Sequence, residues 1–145
     1  MKTLLPAYRQ VLSWYEQWLK PDYSLSYVPH WFFVDWAAGF DYGEPIREKE
    51  GNSALQDLMY IMTLEFAAEM EQAIGLPAMA DHYRKIATEM RKTIRPKYWD
   101  AARNLFADTQ DHRSYSQHVN ALAILTGVTK GEEAVKVMNQ TLADT

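Results

Sequence analysis

Apolar residues recur at helical spacing from the start of the chain. In the first twenty residues they fall three or four positions apart and form one broad face: Ala7, Val11, Leu12, Trp14, Tyr15, Trp18 and Leu19. Such a face is typical of an amphipathic helix. Proline is favoured in a first helical turn and keeps the residue before it out of the helical region, so Pro6 and Pro21 predict a helix from Pro6 to Leu19.

Two longer amphipathic segments follow and are joined by a very short link. The first is predicted to begin at a cap, Asn52 or Ser53, and to end at Gly75. Its apolar positions are Leu55, Leu58, Met59, Met62, Phe66, Met70 and Ile74. Pro77 opens the second segment and Pro96 closes it, with Met79, Tyr83, Ile86, Met90 and Ile94 as its apolar face. A link of only Gly75 and Leu76 predicts an antiparallel hairpin.

The same pattern predicts a fourth helix over Ser114 to Thr126 and a fifth over Gly131 to Leu142. Between Lys97 and Arg113 the period is weak, and only Asn104 to Asp108 is a candidate for a short extended piece. We therefore predict an all-α fold, an array of antiparallel helical hairpins with about five helices. The first and last helices carry apolar faces with no flanking helix to cover them, so we expect the array to be incomplete. A self-contained five-helix bundle is the alternative.

One connection is far longer than bundle helices need. Residues 22–51 separate the first two helices, whereas such connections usually have about 2 to 8 residues. Within it, residues 28–44 (VPHWFFVDWAAGFDYGE), the aromatic loop, crowd aromatic residues around Asp35 with no clear helix or strand period: Trp31, Phe32, Phe33, Trp36 and Phe40. Aromatic faces can stack on a sugar while a carboxylate accepts its hydroxyls. The other interpretation is a packed core, with Asp35 capping a following helix.

Composition excludes several functional classes. The chain has 145 residues, enough for one domain with a real core, and a net charge of -4 with basic and acidic residues interspersed, so no nucleic-acid partner is expected. It has no cysteine, which leaves the redox compartment undecided. Residues 1–20 carry polar residues among the apolar ones, and predict neither a signal peptide nor a membrane span. We expect a soluble protein without a membrane partner.

Common catalytic and metal motifs are absent from the sequence. It contains no glycine-rich phosphate loop, no G-x-S-x-G and no H-E-x-x-H. Its histidines (His30, His82, His112 and His118) have no recognised ligand spacing. His82 and His118 are expected to be helix-surface or partly buried residues and His112 a loop residue. We therefore predict no metal and no cofactor.

The carboxylates are the remaining candidates for chemistry. Asp35, Asp41 and Glu44 lie in the aromatic loop, and Asp108 and Asp111 lie in the weakly patterned link, so either segment could line a pocket. Asp35 alone has apolar or aromatic neighbours on both sides, and we expect it to be substantially dehydrated and therefore hydrogen-bonded. Four other acids are expected to be solvated surface residues: Glu65, Glu69, Glu71 and Asp100.

Several motifs, in order along the chain, resemble the bacterial α-L-rhamnosidases. They are WFFVDW at 31–36, AIG at 73–75 followed by Tyr83, FAD at 106–108 and SQHVNALAILTG at 116–127. The resemblance spans almost the whole chain, and it implies that residues 1–145 form part of an (α/α)6 toroidal catalytic domain. In that fold helical hairpins form a ring, and loops at one end of the ring form the sugar pocket.

The resemblance also implies roles for individual residues. Asp35 and Trp36 match the family's Asp-Trp motif near the sugar pocket, Trp31 would form a wall, and Asp41 lies in the same loop, so all four are candidate substrate-binding residues. Family members are inverting hydrolases with one acid to protonate the leaving group and another to activate water, and neither motif is found here. We expect no catalytic residue in this chain and no hydrolysis by it alone. Its partners would be a rhamnose-containing glycoside and the remainder of the domain, in the bacterial cytoplasm or periplasm.

Two rival interpretations remain. Residues 76–90 resemble the second helix of a tetratricopeptide-like repeat, which would make the chain a protein-binding module. Such repeats recur every 34 residues or so, whereas the hairpin turns at Gly75 and Gly127 are much farther apart and the long aromatic loop has no counterpart in a regular solenoid. A plain helical bundle for protein contacts would instead bury Trp31, Trp36 and Phe40 completely.

Overall fold

The computed structural model describes residues 4–51 and 53–143. In these ranges the chain forms five helices: α1 (Leu5–Glu16), α2 (Ala54–Ala73), α3 (Pro77–Tyr98), α4 (Gln117–Leu125) and α5 (Gly131–Ala143). Strands β1 (Trp99–Asp100) and β2 (Leu105–Phe106) form a small antiparallel ladder with Trp99 opposite Phe106. The prediction of an all-α array is confirmed, and β2 lies inside the candidate extended piece.

Helix α2 is the centre of the core. It is apolar around most of its circumference, and its fully buried side chains include Leu55, Leu58, Ile61 and Leu64. It packs antiparallel to α3, and the buried face of α3 contains the predicted Tyr83, Ile86, Met90 and Ile94. The prediction that Phe66 lies on the buried face of α2 is wrong, because Phe66 is 58% exposed. The smaller residues Ala67 and Ala68, which directly follow it, are buried in the core instead.

Three helix ends differ from the prediction. Helix α1 ends at Glu16 instead of Leu19, because the chain turns back and Ser26 N donates to Trp18 O at 2.8 Å. Helix α3 continues through Pro96 to Tyr98. A proline in the last turn costs the helix one hydrogen bond, and burial of the Tyr98 ring offsets that cost. Helix α4 begins at Gln117 because the Ser116 side chain caps it, accepting from Val119 N at 3.2 Å.

The connections differ in length at the two ends of the array. The α2–α3 link and the α4–α5 link are short, whereas residues 17–53 and 99–116 form long connections. Asp108 joins the two long connections at the starts of α2 and α4: its carbonyl accepts from Ala54 N at 2.9 Å, and its Oδ1 accepts from Ser116 N at 3.1 Å. We call this the long-loop end.

Apolar side chains on the outer face of α4 and α5 are not covered by the described part of the chain. Leu125, Val135 and Leu142 are well exposed, while Val137 and Thr141 point inward. The apolar face predicted for the fifth helix, formed by Ala134, Val135, Met138 and Leu142, is therefore wrong: only Ala134 is partly buried, and the other three are exposed. Among residues 4–51 and 53–143, no helix is both long enough and apolar enough to cross a membrane.

Candidate functional site

The aromatic loop folds back on itself at the long-loop end. Val34 N donates to Gly43 O at 2.8 Å, and Asp41 and Glu44 exchange backbone hydrogen bonds of 3.1 and 2.9 Å across the closing turn. Gly43 has φ of +79°, and a Cβ there would lie 2.4 Å from the Phe33 ring. Any larger residue here would push the Phe33 ring away and would adopt an unfavourable φ, so glycine allows Phe33 to lie against the second arm of the loop.

Alternate residues in the first arm of the loop point in opposite directions. Phe32 and Val34 pack against the core, whereas Trp31 and Phe33 point outward, with Trp31 67% exposed. This period of two is that of an extended segment, whereas no helix or strand period was predicted here. Phe40 also packs inward. The core interpretation therefore holds for Phe32 and Phe40, and it is wrong for Trp31.

Three outward aromatic rings form one exposed cluster. The Phe33 ring centroid lies 5.4 Å from that of Trp31 and 5.4 Å from that of Trp36, which is 73% exposed. Trp31 Nε1 donates to Tyr42 O at 3.2 Å and so holds the indole against the other arm of the loop. An exposed patch of large apolar rings on a fixed backbone is characteristic of a contact surface. A plain bundle with Trp31 and Trp36 buried is excluded.

Asp35 lies beside this cluster, and its expected dehydration is wrong. Its side chain is 56% exposed because the residue sits on the outer side of the loop. One oxygen, Oδ1, accepts from Trp36 N at 2.7 Å, and the other, Oδ2, accepts from Nε2 of His118 at 3.0 Å. It caps no helix. The prediction that it is hydrogen-bonded is confirmed.

Asp41 lies in the turn that closes the loop. It is exposed, and its carboxylate makes no hydrogen bond with any residue in the described ranges. The structure thus brings Trp31, Asp35 and Trp36 to one surface, with Asp41 at the tip of the same loop.

His118 is the residue of this site that sequence reasoning missed. It lies in the first turn of α4, is 31% exposed, and its ring centroid is 5.3 Å from that of Phe40. The prediction that His118 is a helix-surface or partly buried residue is confirmed, but no role in the site was predicted for it. Its partner Asp35 is 83 positions away, and no pattern in a single sequence reports such a pairing.

The start of α4 is held by a buried acid. Asp108, predicted as a candidate pocket residue, is 2% exposed and its Oδ1 accepts from Ser116 Oγ at 2.5 Å. Its second oxygen, Oδ2, is buried without a partner among the described residues. Asp111 is exposed and accepts from Thr109 Oγ1 at 2.7 Å. It lines an open cavity of about 400 Å³ whose other residues include Arg47, Lys49 and Arg113.

Two acids inside the helical hairpins are far more buried than Asp35. Asp57, in the first turn of α2, accepts from Leu25 N at 2.7 Å and from Tyr98 Oη at 3.0 Å. Burial raises the pKa of its carboxyl to about 7. The same environment lowers the pKa of the nearby Lys97 ammonium, chiefly through desolvation.

Glu71 is the second buried acid, and its assignment to the solvated surface is wrong. It is 0% exposed, because Arg9 and Tyr8 of α1 cover it and the Arg9 guanidinium binds its two oxygens at 2.7 and 2.6 Å. Hydrogen bonding to Arg9 lowers the pKa of the Glu71 carboxyl. Asp100 is half-buried and accepts from Tyr115 Oη at 2.6 Å, which lowers its pKa. In the part of the chain that the structure describes, no three His, Cys, Asp or Glu side chains form a group suited to a metal ion.

An all-α array of antiparallel hairpins, with its long connections gathered at one end, is the architecture of part of a helical toroid. The whole chain, residues 1–145, matches the model of the bacterial alpha-L-rhamnosidase six-hairpin glycosidase domain, and the chain belongs to that family. This membership gives no support to a tetratricopeptide-like module.

Solved structures that are similar to this chain include two rhamnosidases. A GH78 family rhamnosidase of Bacillus sp. GL1 superposes with a TM-score of 0.76 and 25% identity, covering 94% of this chain and 14% of that one. A rhamnosidase from Klebsiella oxytoca with rhamnose bound gives a TM-score of 0.78 at 15% identity, covering 98% of this chain and 26% of that one. The chain therefore spans about a quarter or less of either structure. Among curated proteins no match is found.

Proposed function

We propose that this chain is part of an α-L-rhamnosidase-like glycoside hydrolase and that its aromatic loop forms one wall of the sugar pocket. In this proposal Trp31, Asp35, Trp36 and Asp41 bind substrate. The observation that carries it is the exposed cluster of Trp31, Phe33 and Trp36 beside the exposed Asp35 carboxylate.

The chemistry of the cluster suits a deoxy sugar. Rhamnose has a methyl group and C–H faces that can stack on indole rings, and hydroxyl groups that can donate to a carboxylate. Asp35 uses one hydrogen bond at each oxygen within the protein, so each oxygen retains acceptor capacity. Asp41 offers a further carboxylate at the tip of the loop.

The location supports the same proposal. In a helical toroid the long connections at one end of the ring surround the substrate, and this chain gathers both of its long connections at the starts of α2 and α4. The bound rhamnose named for the Klebsiella oxytoca protein, which has the same fold, makes rhamnose the first ligand to test.

We assign no catalytic acid or base to this chain. Glycoside hydrolysis uses a pair of carboxyl groups on opposite sides of the scissile bond. Asp57 and Glu71 use their oxygens in buried hydrogen bonds within the protein, and we assign Asp35, which is hydrogen-bonded to His118, to substrate binding. The acid and the base would come from other parts of the same catalytic domain, which is the partner we propose besides the carbohydrate.

The first step is to check the reading frame on both sides of this chain for flanking hairpins. The test is then hydrolysis of an aryl rhamnoside by the longer protein that contains them. Asp35→Ala and Trp36→Ala should each lower kcat/KM about tenfold or more, about 1.4 kcal/mol. The 145-residue chain alone should release no rhamnose. Unchanged kinetics in both variants would exclude the pocket assignment, and hydrolysis by the isolated chain would show that a catalytic pair is present in it.

A further inference from the structure

The Asp35 carboxylate is oriented by two protein donors that arrive from different parts of the chain. Trp36 N binds Oδ1 from within the aromatic loop, and His118 Nε2 binds Oδ2 from α4. Because Trp36 N belongs to the same loop, its hydrogen bond does not prevent the carboxylate from moving together with that loop. The bond from His118 is therefore the contact that fixes Asp35 relative to the helical scaffold.

His118 is itself held in place. The Phe40 ring lies against the imidazole at a centroid distance of 5.3 Å. The first turn of α4 is capped by Ser116, whose hydroxyl donates to the buried Asp108 at 2.5 Å. Asp108 in turn accepts from Ala54 N, at the start of the central helix α2. A series of short contacts thus connects the core to the imidazole.

We propose that His118 is a positioning residue for the sugar site, holding the Asp35 carboxylate so that its remaining lone pairs point away from α4 toward the hydroxyl groups of a rhamnose-type ligand. This inference rests on the proposed function, because it assigns a purpose to an orientation that matters only if Asp35 binds a ligand. His118 acts through Asp35.

The pairing sets the tautomer of the imidazole. An ionised Asp35 has no proton to donate, so Nε2 of His118 must carry the hydrogen. Nδ1 makes no hydrogen bond with any described residue, so no contact there favours the alternative tautomer, in which Nδ1 carries the hydrogen. Nitrogen-15 NMR of the imidazole should therefore report Nε2 as the protonated nitrogen, and Asp35→Ala should reduce that preference.

The binding test uses the 145-residue chain and L-rhamnose, followed by tryptophan fluorescence and by NMR. His118→Asn should weaken binding about tenfold, a modest factor because the pair is partly exposed and screened by solvent. His118→Gln should retain near wild-type affinity, because its longer side chain can place an amide N–H where Nε2 now lies. Both variants keep a polar residue in the same turn of α4, so a general effect on folding would affect them alike.

A second histidine provides the control. His82 of α3 also pairs with a carboxylate, Glu16, at 3.2 Å, outside both the aromatic loop and α4. His82→Asn should leave rhamnose affinity unchanged. In the Asp35→Ala background, His118→Asn should cause no further loss, since its effect passes through Asp35.

The outcomes separate the two proposals. If Asp35→Ala weakens binding while His118→Asn does not, or if Gln and Asn at position 118 lose affinity equally, the positioning role is wrong and the sugar site stands. If the wild-type chain binds no rhamnose and the longer protein hydrolyses no rhamnoside, the proposed function is wrong and the positioning role is lost with it.

Discussion

The acids of the aromatic loop and the acids of the helical hairpins differ in what surrounds them. Asp57 and Glu71 are fully buried, and protein donors bind both oxygens of each carboxylate. Asp35 is more than half exposed and retains acceptor capacity at both oxygens. In this chain the buried acids hold the helices together, and the acid that we propose for ligand contact is exposed to solvent.

The same contrast applies to the aromatic residues. Tyr60 and Tyr98 are buried between helices and donate to fixed acceptors, Leu12 O at 3.1 Å and Asp57 Oδ2 at 3.0 Å. Trp31 and Trp36 are exposed; the Trp31 indole N–H donates to Tyr42 O, whereas the Trp36 indole N–H has no partner within residues 4–51 and 53–143. Mutations in the two regions should therefore affect different measurements, stability in the hairpins and binding in the loop.

The largest effect on stability is expected at Asp57. Asp57→Ala would leave the N–H of Leu25 and the hydroxyl of Tyr98 buried without acceptors, at a cost of about 3 kcal/mol. Urea unfolding followed by circular dichroism measures this loss. Asp81→Ala, which removes an exposed acid paired with Arg84, serves as the control and should change stability by less than about 0.5 kcal/mol. Equal effects of the two variants would contradict the anchoring role of Asp57.

The free energy of unfolding should depend on pH because of the buried Asp57 carboxyl. Burial raises the pKa of Asp57 to about 7, above its value in the unfolded chain, so the folded state binds a proton more tightly. Its contribution to stability is complete below the unfolded pKa, near 4, and is lost as the pH rises to about 7. Asp57→Asn removes the titration and keeps an acceptor for Leu25 N, while its Nδ2 amide would donate to Tyr98 Oη instead of accepting from it. The difference in unfolding free energy between wild type and variant should therefore change across this range, and a constant difference would contradict the raised pKa.

A smaller effect is expected at the closing turn of the aromatic loop. Gly43→Ala would place a Cβ against the Phe33 ring at a positive φ, which should cost about 1 to 2 kcal/mol of stability and also weaken rhamnose binding. Gly39→Ala is a matched control, since Gly39 also has a positive φ, +83°, with nothing within 4 Å of its Cβ. A loss of affinity in both variants would indicate general loop strain and not displacement of Phe33.

The smallest effect on stability is expected at Trp36. Its ring is 73% exposed, so Trp36→Ala should change the unfolding free energy by less than about 0.5 kcal/mol. The same variant should weaken rhamnose binding about tenfold if the ring stacks on the sugar. A large loss of stability at this position would mean that the ring supports the loop and is not a contact surface.

Much of the fold was predictable because it rests on short-range patterns. The α2–α3 hairpin follows from two runs of apolar residues and the short link around Gly75. The helix ends were less predictable, since the end of α3 depends on burial of Tyr98 against Asp57, in a different helix. Candidate site residues Trp31, Asp35 and Trp36 were found from sequence and lie on one surface, but their part in binding stays a prediction.

The sequence by itself determined the helical array, the hairpin turns, the oversized aromatic loop and the family, since spacing, caps and motifs act within a few turns of chain. Only the tertiary structure decided which carboxylates are buried. The environment of an acid depends on residues distant in sequence, so Glu71 is buried by α1 and Asp35 is left in solvent beside His118. The sign of a carboxylate's pKa shift and its availability to a ligand follow from that packing.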